Sequence, residues 1–319
     1  MLNVWHLSIV LIVAGTLGGC QTTTDENLKK TVLSQGAADQ EAGASARAEP
    51  KWSDELNSAY RRGDDFKKAG SYREAIQAYL KVVQIGEREF GANHPTTAKL
   101  INNLAYLYKN QGRFAEAEPL HKRSLAIREK AFGLDHRAVA QSLNNLASLY
   151  SDQGRFAEAE PLYKRSLAIR EKALGPDHPS VAMGISNLAL LYHTQGRFAE
   201  AEPLYKRSLA IRENALGPNH PDVANSLNNL AGLNENLGRY AEAEPLYKRS
   251  LAIREKALGP NHHSVATTLN NLGGLFLDQG RFAEAVSLSK RALAIKEKAF
   301  GPDHPSVAQG FNNLAVLYG

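Results

Sequence analysis

The sequence predicts an all-α fold in which helix pairs stack into an α-solenoid, and three observations carry that prediction. Gly112-Arg113-Phe114 recurs as Gly154-Arg155-Phe156, Gly196-Arg197-Phe198, Gly238-Arg239-Tyr240 and Gly280-Arg281-Phe282, each 42 residues after the last, and a fixed period in this range marks a repeat array. Apolar residues between these triplets keep helical spacing, as at Leu143, Leu146, Ala147 and Tyr150 and again at Phe156, Ala159, Tyr163 and Leu167. The two runs are broken only at Asp152-Gln153-Gly154, so each period reads as two antiparallel helices joined by a tight turn. A two-helix unit cannot cover its own apolar face, which forces neighbouring units to stack into a continuous core.

The first element in the chain lies outside that array. Leu7 to Gly15 is an uncharged apolar run too short to span a bilayer, and Leu17-Gly18-Gly19-Cys20 follows it. This stretch resembles a bacterial lipoprotein signal peptide. The resemblance implies that residues 1–19 are removed, that Cys20 is lipidated, and that the protein is exported and held at a membrane. Gln21 after the cysteine implies the outer membrane, on its periplasmic face, in a Gram-negative host. Cys20 is the only cysteine, so no disulfide can form within the chain. Residues 20–50 contain few large apolar side chains and read as a flexible tether. A coil of that length reaches roughly 30 Å, enough to hold a folded domain clear of lipid headgroups.

The array follows over residues 51–319. Gly70-Ser71-Tyr72 is a degenerate first copy in the same phase, giving six repeats plus the first helix of a seventh. Within each repeat, small residues sit where the paired helices approach most closely, at Ala105 and Ala117, Ala147 and Ala159, and Ala189 and Ala201. The connector between repeats, as in Gly175-Pro176-Asp177-His178-Pro179, supplies a glycine stop, an Asp or Asn expected to cap the next helix, and a proline for its first turn. Pro119, Pro161, Pro203 and Pro245 fall inside the second helices, where a bend or widened turn is expected. The chain closes on Asn312-Asn313-Leu314-Ala315-Val316-Leu317-Tyr318-Gly319. Leu314 and Tyr318 would then lack a covering helix, which predicts self-association through this end.

The stretch from Leu143 to Ala182 closely resembles the long tetratricopeptide repeats of kinesin light chains and their bacterial relatives. Ala147, Tyr150, Gly154, Phe156, Ala159 and Tyr163 match the tetratricopeptide signature. Asn144-Asn145-Leu146-Ala147, the run from Glu160 to Glu171 and His178-Pro179 match the kinesin-light-chain subtype. The resemblance implies a right-handed superhelix whose first helices line a concave groove, and a non-catalytic role in binding proteins or peptides. In kinesin light chains the asparagines matching Asn103, Asn145, Asn187, Asn229, Asn271 and Asn313 contact cargo peptides, so the same use is implied here.

Chemistry explains why asparagine suits that place. It is a mediocre helix former, yet its amide both donates and accepts, so it can hydrogen-bond an extended backbone without reading side chains. A second reading has these residues bridging adjacent helices within the array, and both readings can hold together. The preceding asparagine of each pair gives way to Ser186 in one copy and reads as replaceable. Specificity would come from neighbours that vary between copies. One row comprises Lys99, Gln141, Met183, Asn225, Thr267 and Gln309; a second comprises Tyr106, Ser148, Leu190, Gly232 and Gly274. Met183, Leu190 and His193 would make the middle apolar, while Asp152, Glu235 and Asp278 add acid.

Other constellations point away from catalysis and cofactors. His94, His136, His178, His220, His262 and His304 recur once per connector, too far apart to share a metal ion when stacked helices lie about 10 Å apart. There is no phosphate-cradling glycine loop, zinc-protease motif or nucleophile elbow. Net charge is +5, with Lys and Arg interspersed among Asp and Glu. Lys122-Arg123, Lys164-Arg165, Lys206-Arg207 and Lys248-Arg249 form a basic stripe that offers a rival reading as a binder of nucleic acid or anionic surfaces. Glu118, Glu160, Glu202 and Glu244 precede each lysine by four residues, the order that favours pairing within the helix, which argues against nucleic acid. The remaining rival is a regulatory subunit of an envelope enzyme.

Overall fold

The computed structural model describes residues 50–302 and 304–318. The signal-peptide reading, Cys20 and the tether up to residue 49 lie outside the described residues. Those residues form thirteen helices and no strand. The first helices of successive repeats are α1 (Asp54–Lys68), α3 (Pro95–Asn110), α5 (Arg137–Asp152), α7 (Pro179–Thr194), α9 (Pro221–Asn236), α11 (His263–Asp278) and α13 (Pro305–Tyr318). The second helices are α2 (Tyr72–Phe90), α4 (Phe114–Phe132), α6 (Phe156–Leu174), α8 (Phe198–Leu216), α10 (Tyr240–Leu258) and α12 (Phe282–Phe300). The architecture is an all-α solenoid of helix hairpins, as the period predicts, and it divides into two compact units, an N-terminal one ending at Ile211 and a C-terminal one beginning at Arg212.

The glycine of each recurring triplet makes the turn within a hairpin. Gly154 has φ +72°, a left-handed conformation open to glycine at no steric cost, and Arg155 N–H then donates to the Tyr150 carbonyl at 2.8 Å, closing α5. The small residues meet as expected: Ala105, Ala117, Ala147, Ala159, Ala189 and Ala201 are all fully buried. A serine in each middle second helix fastens the pair. Ser124, Ser166, Ser208 and Ser250 donate to the carbonyls of Ala98, Ala140, Ala182 and Ala224 at 2.7–2.9 Å. In the N-terminal unit Val139, Ala140, Leu143 and Ile169 form a buried cluster; in the C-terminal unit Ala231, Ala243, Tyr247, Leu272, Leu275, Phe276 and Ala285 form another.

Two expectations are corrected. The cap of each incoming first helix is the connector histidine, not the Asp or Asn before it. The Nδ1 atoms of His94, His136, His178, His220, His262 and His304 accept the backbone N–H two residues on, at 3.1–3.2 Å. With proline or its equivalent at the first helical position, the cap must be the residue directly before it, and imidazole Nδ1 reaches as an aspartate oxygen does. The widened turn expected at the prolines does not occur either: the second helices run as unbroken α-helix. Pro119, Pro161, Pro203 and Pro245 are all exposed near the helix start, where the carbonyl four residues back faces water and loses little.

At the C-terminal end Leu314 and Tyr318 are the anticipated open residues, and the Tyr318 side chain lies outside the described residues. Leu314 is half-buried and Leu317 packs on the cluster around Phe276, whereas Ala308, Phe311, Asn312 and Ala315 are exposed. Their counterparts Ala266, Leu269 and Gly273 on α11 are buried beneath α12.

Candidate functional site

The accessible side chains of the first helices fall on one line per helix. On α3 these are Lys99, Asn103, Tyr106 and Asn110; on α7 they are Met183, Asn187, Leu190 and Thr194; on α11 they are Thr267, Asn270, Asn271, Gly274 and Asp278. Helical geometry puts positions 99, 103, 106 and 110 on one stripe, so both variable rows share a surface with the asparagines. Asn103, Asn145, Asn187, Asn229, Asn271 and Asn313 are all half-buried there.

These asparagines form a ladder within each unit. In the N-terminal unit Asn103 Nδ2 donates to the Tyr60 hydroxyl at 3.1 Å, Asn145 Nδ2 to Asn102 Oδ1 at 3.1 Å, and Asn187 Nδ2 to Asn144 Oδ1 at 2.8 Å. In the C-terminal unit Asn271 Nδ2 donates to Asn228 Oδ1 at 3.1 Å, and Asn313 Oδ1 accepts from Gln309 Nε2 at 3.0 Å. Asn103, Asn145, Asn187 and Asn271 therefore bridge to the preceding repeat, whereas Asn313 bonds within its own helix. The first asparagine, read as replaceable, is the acceptor for Asn145, Asn187 and Asn271. Each bridge uses one N–H, which leaves the carbonyl oxygen and second N–H of Asn145 and Asn187 on the accessible side.

The variable rows are more engaged than the sequence suggested. Gln141 Oε1 accepts from Arg128 at 3.2 Å; Asn225 donates to Asp222 at 3.3 Å and accepts from Arg254 at 2.7 Å. Met183 stays exposed and Leu190 half-exposed. Ser148 is not a surface residue: it is buried and receives the Lys109 ammonium at 2.8 Å, which also pairs with Asp152 at 2.8 Å. Asp152 is thereby neutralised. Burial pushes the Glu235 carboxyl up to about 7 and raises Asp278, while His193, buried beside Tyr205, is pushed down to about 4 and stays neutral.

A row of buried arginines went unread in the sequence because it lay inside the repeated Ala-Ile-Arg-Glu run. Arg128 donates to the Ala138 carbonyl, Gln141 and Ser142; Arg170 to the Ser180 carbonyl; Arg212 to the Asp222 carbonyl and Ser226; Arg254 to the Ser264 carbonyl and Thr268. Each holds the first turn of the next first helix. Among the described residues Arg128 and Arg170 have no carboxylate partner, and burial lowers both to about 10. Burial, and after it the charge of Arg128 and Arg170, depresses His136 and His178, which keeps those caps able to accept.

The basic stripe is bound up in ion pairs. Lys122, Lys164, Lys206 and Lys248 pair with Glu118, Glu160, Glu202 and Glu244 at 2.6–2.7 Å. Arg123, Arg165, Arg207 and Arg249 reach Glu87, Glu129, Glu171 and Glu213 of the preceding second helix at 2.7–2.8 Å. Among the described residues no three His, Cys, Asp or Glu side chains are placed to hold a metal ion, and no helix is long and apolar enough to cross a membrane.

Similarity to known proteins follows the same repeat. A search of the curated proteins gives no match. A solved structure of nearly identical TPR-like repeats attributed to kinesin light chain, from Podosopora anserina, is 30% identical with a TM-score of 0.53, covering 64% of this chain and 97% of that one. BtubC (BKLC) from P. vanneervenii is 25% identical with a TM-score of 0.56, covering 79% of this chain and 92% of that one. A Rap protein complexed with Competence and Sporulation Factor, 17% identical with a TM-score of 0.55 over 89% of this chain and 79% of that one, shares the fold. The family model described as Tetratricopeptide repeat matches six overlapping spans, residues 54–130, 96–172, 138–214, 180–256, 222–298 and 264–319. With that match over the whole array, the chain belongs to the tetratricopeptide repeat family.

Proposed function

We propose that the protein is a non-catalytic interaction scaffold that binds extended protein segments along the accessible face of its first helices. The observation that carries this reading is the asparagine ladder. The bridging amides of Asn145 and Asn187 each keep a carbonyl oxygen and an N–H, one repeat apart on a half-buried surface, which matches what an extended backbone offers and needs. Met183 and Leu190 supply apolar contact beside Asn187, and Gln141 and Asn225 supply polar contact. The carboxylates paired with every lysine of the basic stripe weigh against the nucleic-acid rival. Regulation of an envelope enzyme would be one use of the same surface.

The test is a photo-crosslinker at Met183 in cells. Capture of a defined partner that disappears in the Asn145→Ala, Asn187→Ala protein supports the reading; capture unchanged by those substitutions sinks it. Anchoring through a lipidated Cys20 is part of the proposal and is checked separately. Radiolabelled palmitate should enter the wild type and not Cys20→Ser, and equal labelling would remove the anchor from the account.

A further inference from the structure

The two units treat one repeat position in opposite ways. In the N-terminal unit Lys109, at the end of α3, lies buried with its ammonium 2.8 Å from Ser148 Oγ and 2.8 Å from Asp152 Oδ2 on α5. Three repeats later the same positions read Glu235 on α9, with Gly274 and Asp278 on α11. The aspartate is kept, the lysine that neutralised it has become a second carboxylate, and the serine has become glycine. Tyr106, which flanks Lys109, is likewise replaced by Gly232.

The replacements open a notch. A side chain at Gly274 would meet only Glu235 Oε1 within 4 Å, at 3.7 Å, and one at Gly232 would meet only the Tyr247 hydroxyl, at 3.3 Å. Glu235 Oε2 accepts from that hydroxyl at 2.7 Å. Among the described residues, Glu235 Oε1 and the exposed Asp278 carboxylate have no hydrogen-bond or ion-pair partner. Burial and the neighbouring Asp278 both disfavour charge on Glu235. Such a carboxylate gains most from an entering cation.

We propose that this notch is a subsite for a lysine side chain of the bound segment, whose ammonium takes between Glu235 and Asp278 the place that Lys109 takes beside Asp152 within the chain. The inference rests on the scaffold reading above, and it names the chemistry that the C-terminal unit selects. Charge complementarity supports one occupant: two carboxylates without a cation beside them, an opening made by two glycines, and an internal ammonium in the equivalent place of the other unit.

A random twelve-residue peptide library selected against the full chain supplies the probe. The selected peptides are expected to need one lysine. Its replacement by norleucine should weaken binding at least tenfold in fluorescence anisotropy on the wild type and less than twofold on the Glu235→Gln, Asp278→Asn protein, whose uncharged amides preserve shape. Glu235→Lys, which rebuilds the pairing of the N-terminal unit, should also abolish the lysine preference while leaving circular dichroism unchanged. A norleucine penalty equal on wild type and variants overturns the subsite. Selected peptides without a lysine requirement overturn it too, yet leave the scaffold reading intact if Asn229→Ala, Asn271→Ala abolishes their binding. Recovery of no peptide, or of peptides indifferent to those asparagines, overturns both.

Discussion

Replacing Asn187 by alanine separates the two jobs of the ladder. The substitution removes one neutral amide hydrogen bond, the 2.8 Å contact to Asn144 Oδ1, worth about 1 kcal/mol net. It also exchanges a mediocre helix former for the best one in the middle of α7, a gain of about 0.6 kcal/mol. The net loss of stability should therefore be only about 0.4 kcal/mol. Asn144→Ala has the same balance, and the double variant should be no less stable than either single one, with a coupling of about 1 kcal/mol. A peptide backbone bonded by the free oxygen and N–H of Asn187 would lose about 2 kcal/mol, roughly thirtyfold in affinity. Urea unfolding of the four proteins, with anisotropy of a selected peptide on each, reads both quantities. A loss above about 2 kcal/mol in stability, with peptide affinity unchanged, would refute the argument and make the ladder purely structural.

Other predictions follow from the same geometry. Burial holds His121, His193 and His263 down at about 4 and lowers the caps His136, His178 and His304. Each folded-state value lies below the ordinary one near 6.5, so this stabilisation is full above that pH and is lost as pH falls toward 4; urea midpoints at stepped pH should decline through that window. Glu235 has the opposite sign. Its pKa is raised to about 7, so its contribution is full below the ordinary carboxylate value and is lost as pH rises through 7, and Glu235→Gln should gain stability over wild type only on the alkaline side. Lys109→Met keeps the buried stem and leaves a half-exposed Asp152, so it should cost under about 1 kcal/mol, whereas Asp152→Ala takes the carboxylate from a buried ammonium that keeps its bond to Ser148 and should cost about 3 kcal/mol; equal costs in urea unfolding would contradict this.

The fold was legible because period and phase survive in every copy. Gly154, the apolar spacing around it and the alanine pairs each state a local requirement that only a helix hairpin meets. What was misread depended on a choice between neighbouring residues. Asp177 and His178 can both cap a helix, and only the placement of Pro179 at the first helical position decides for the histidine. Asn144 seemed replaceable because Ser186 stands in its place, but a hydroxyl also carries an acceptor oxygen. The site was half legible. The asparagine row could be placed on the accessible face, whereas the burial of Ser148 and of Arg128 depends on contacts with the next repeat, which no single repeat encodes.

The way repeats attach explains why their second helices can be near copies while the first helices vary. Ser124, Ser166, Ser208 and Ser250 grip main-chain carbonyls of their partner helix. Arg128, Arg170, Arg212 and Arg254 grip main-chain carbonyls in the first turn of the next first helix. The connector histidines cap through main-chain N–H groups. A carbonyl or an N–H is the same whatever side chain it carries, so these attachments place no demand on the residues at the accessible stripe. Nearly constant second helices can thus hold Lys109, Ser151, His193 and Glu235 at the same point of successive repeats. The asparagines, Gln141 and Asn225 serve both the packing of repeats and the accessible face, whereas Met183 and Leu190 present apolar side chains there, so substitutions at these two positions should redirect partner choice at little cost in folding.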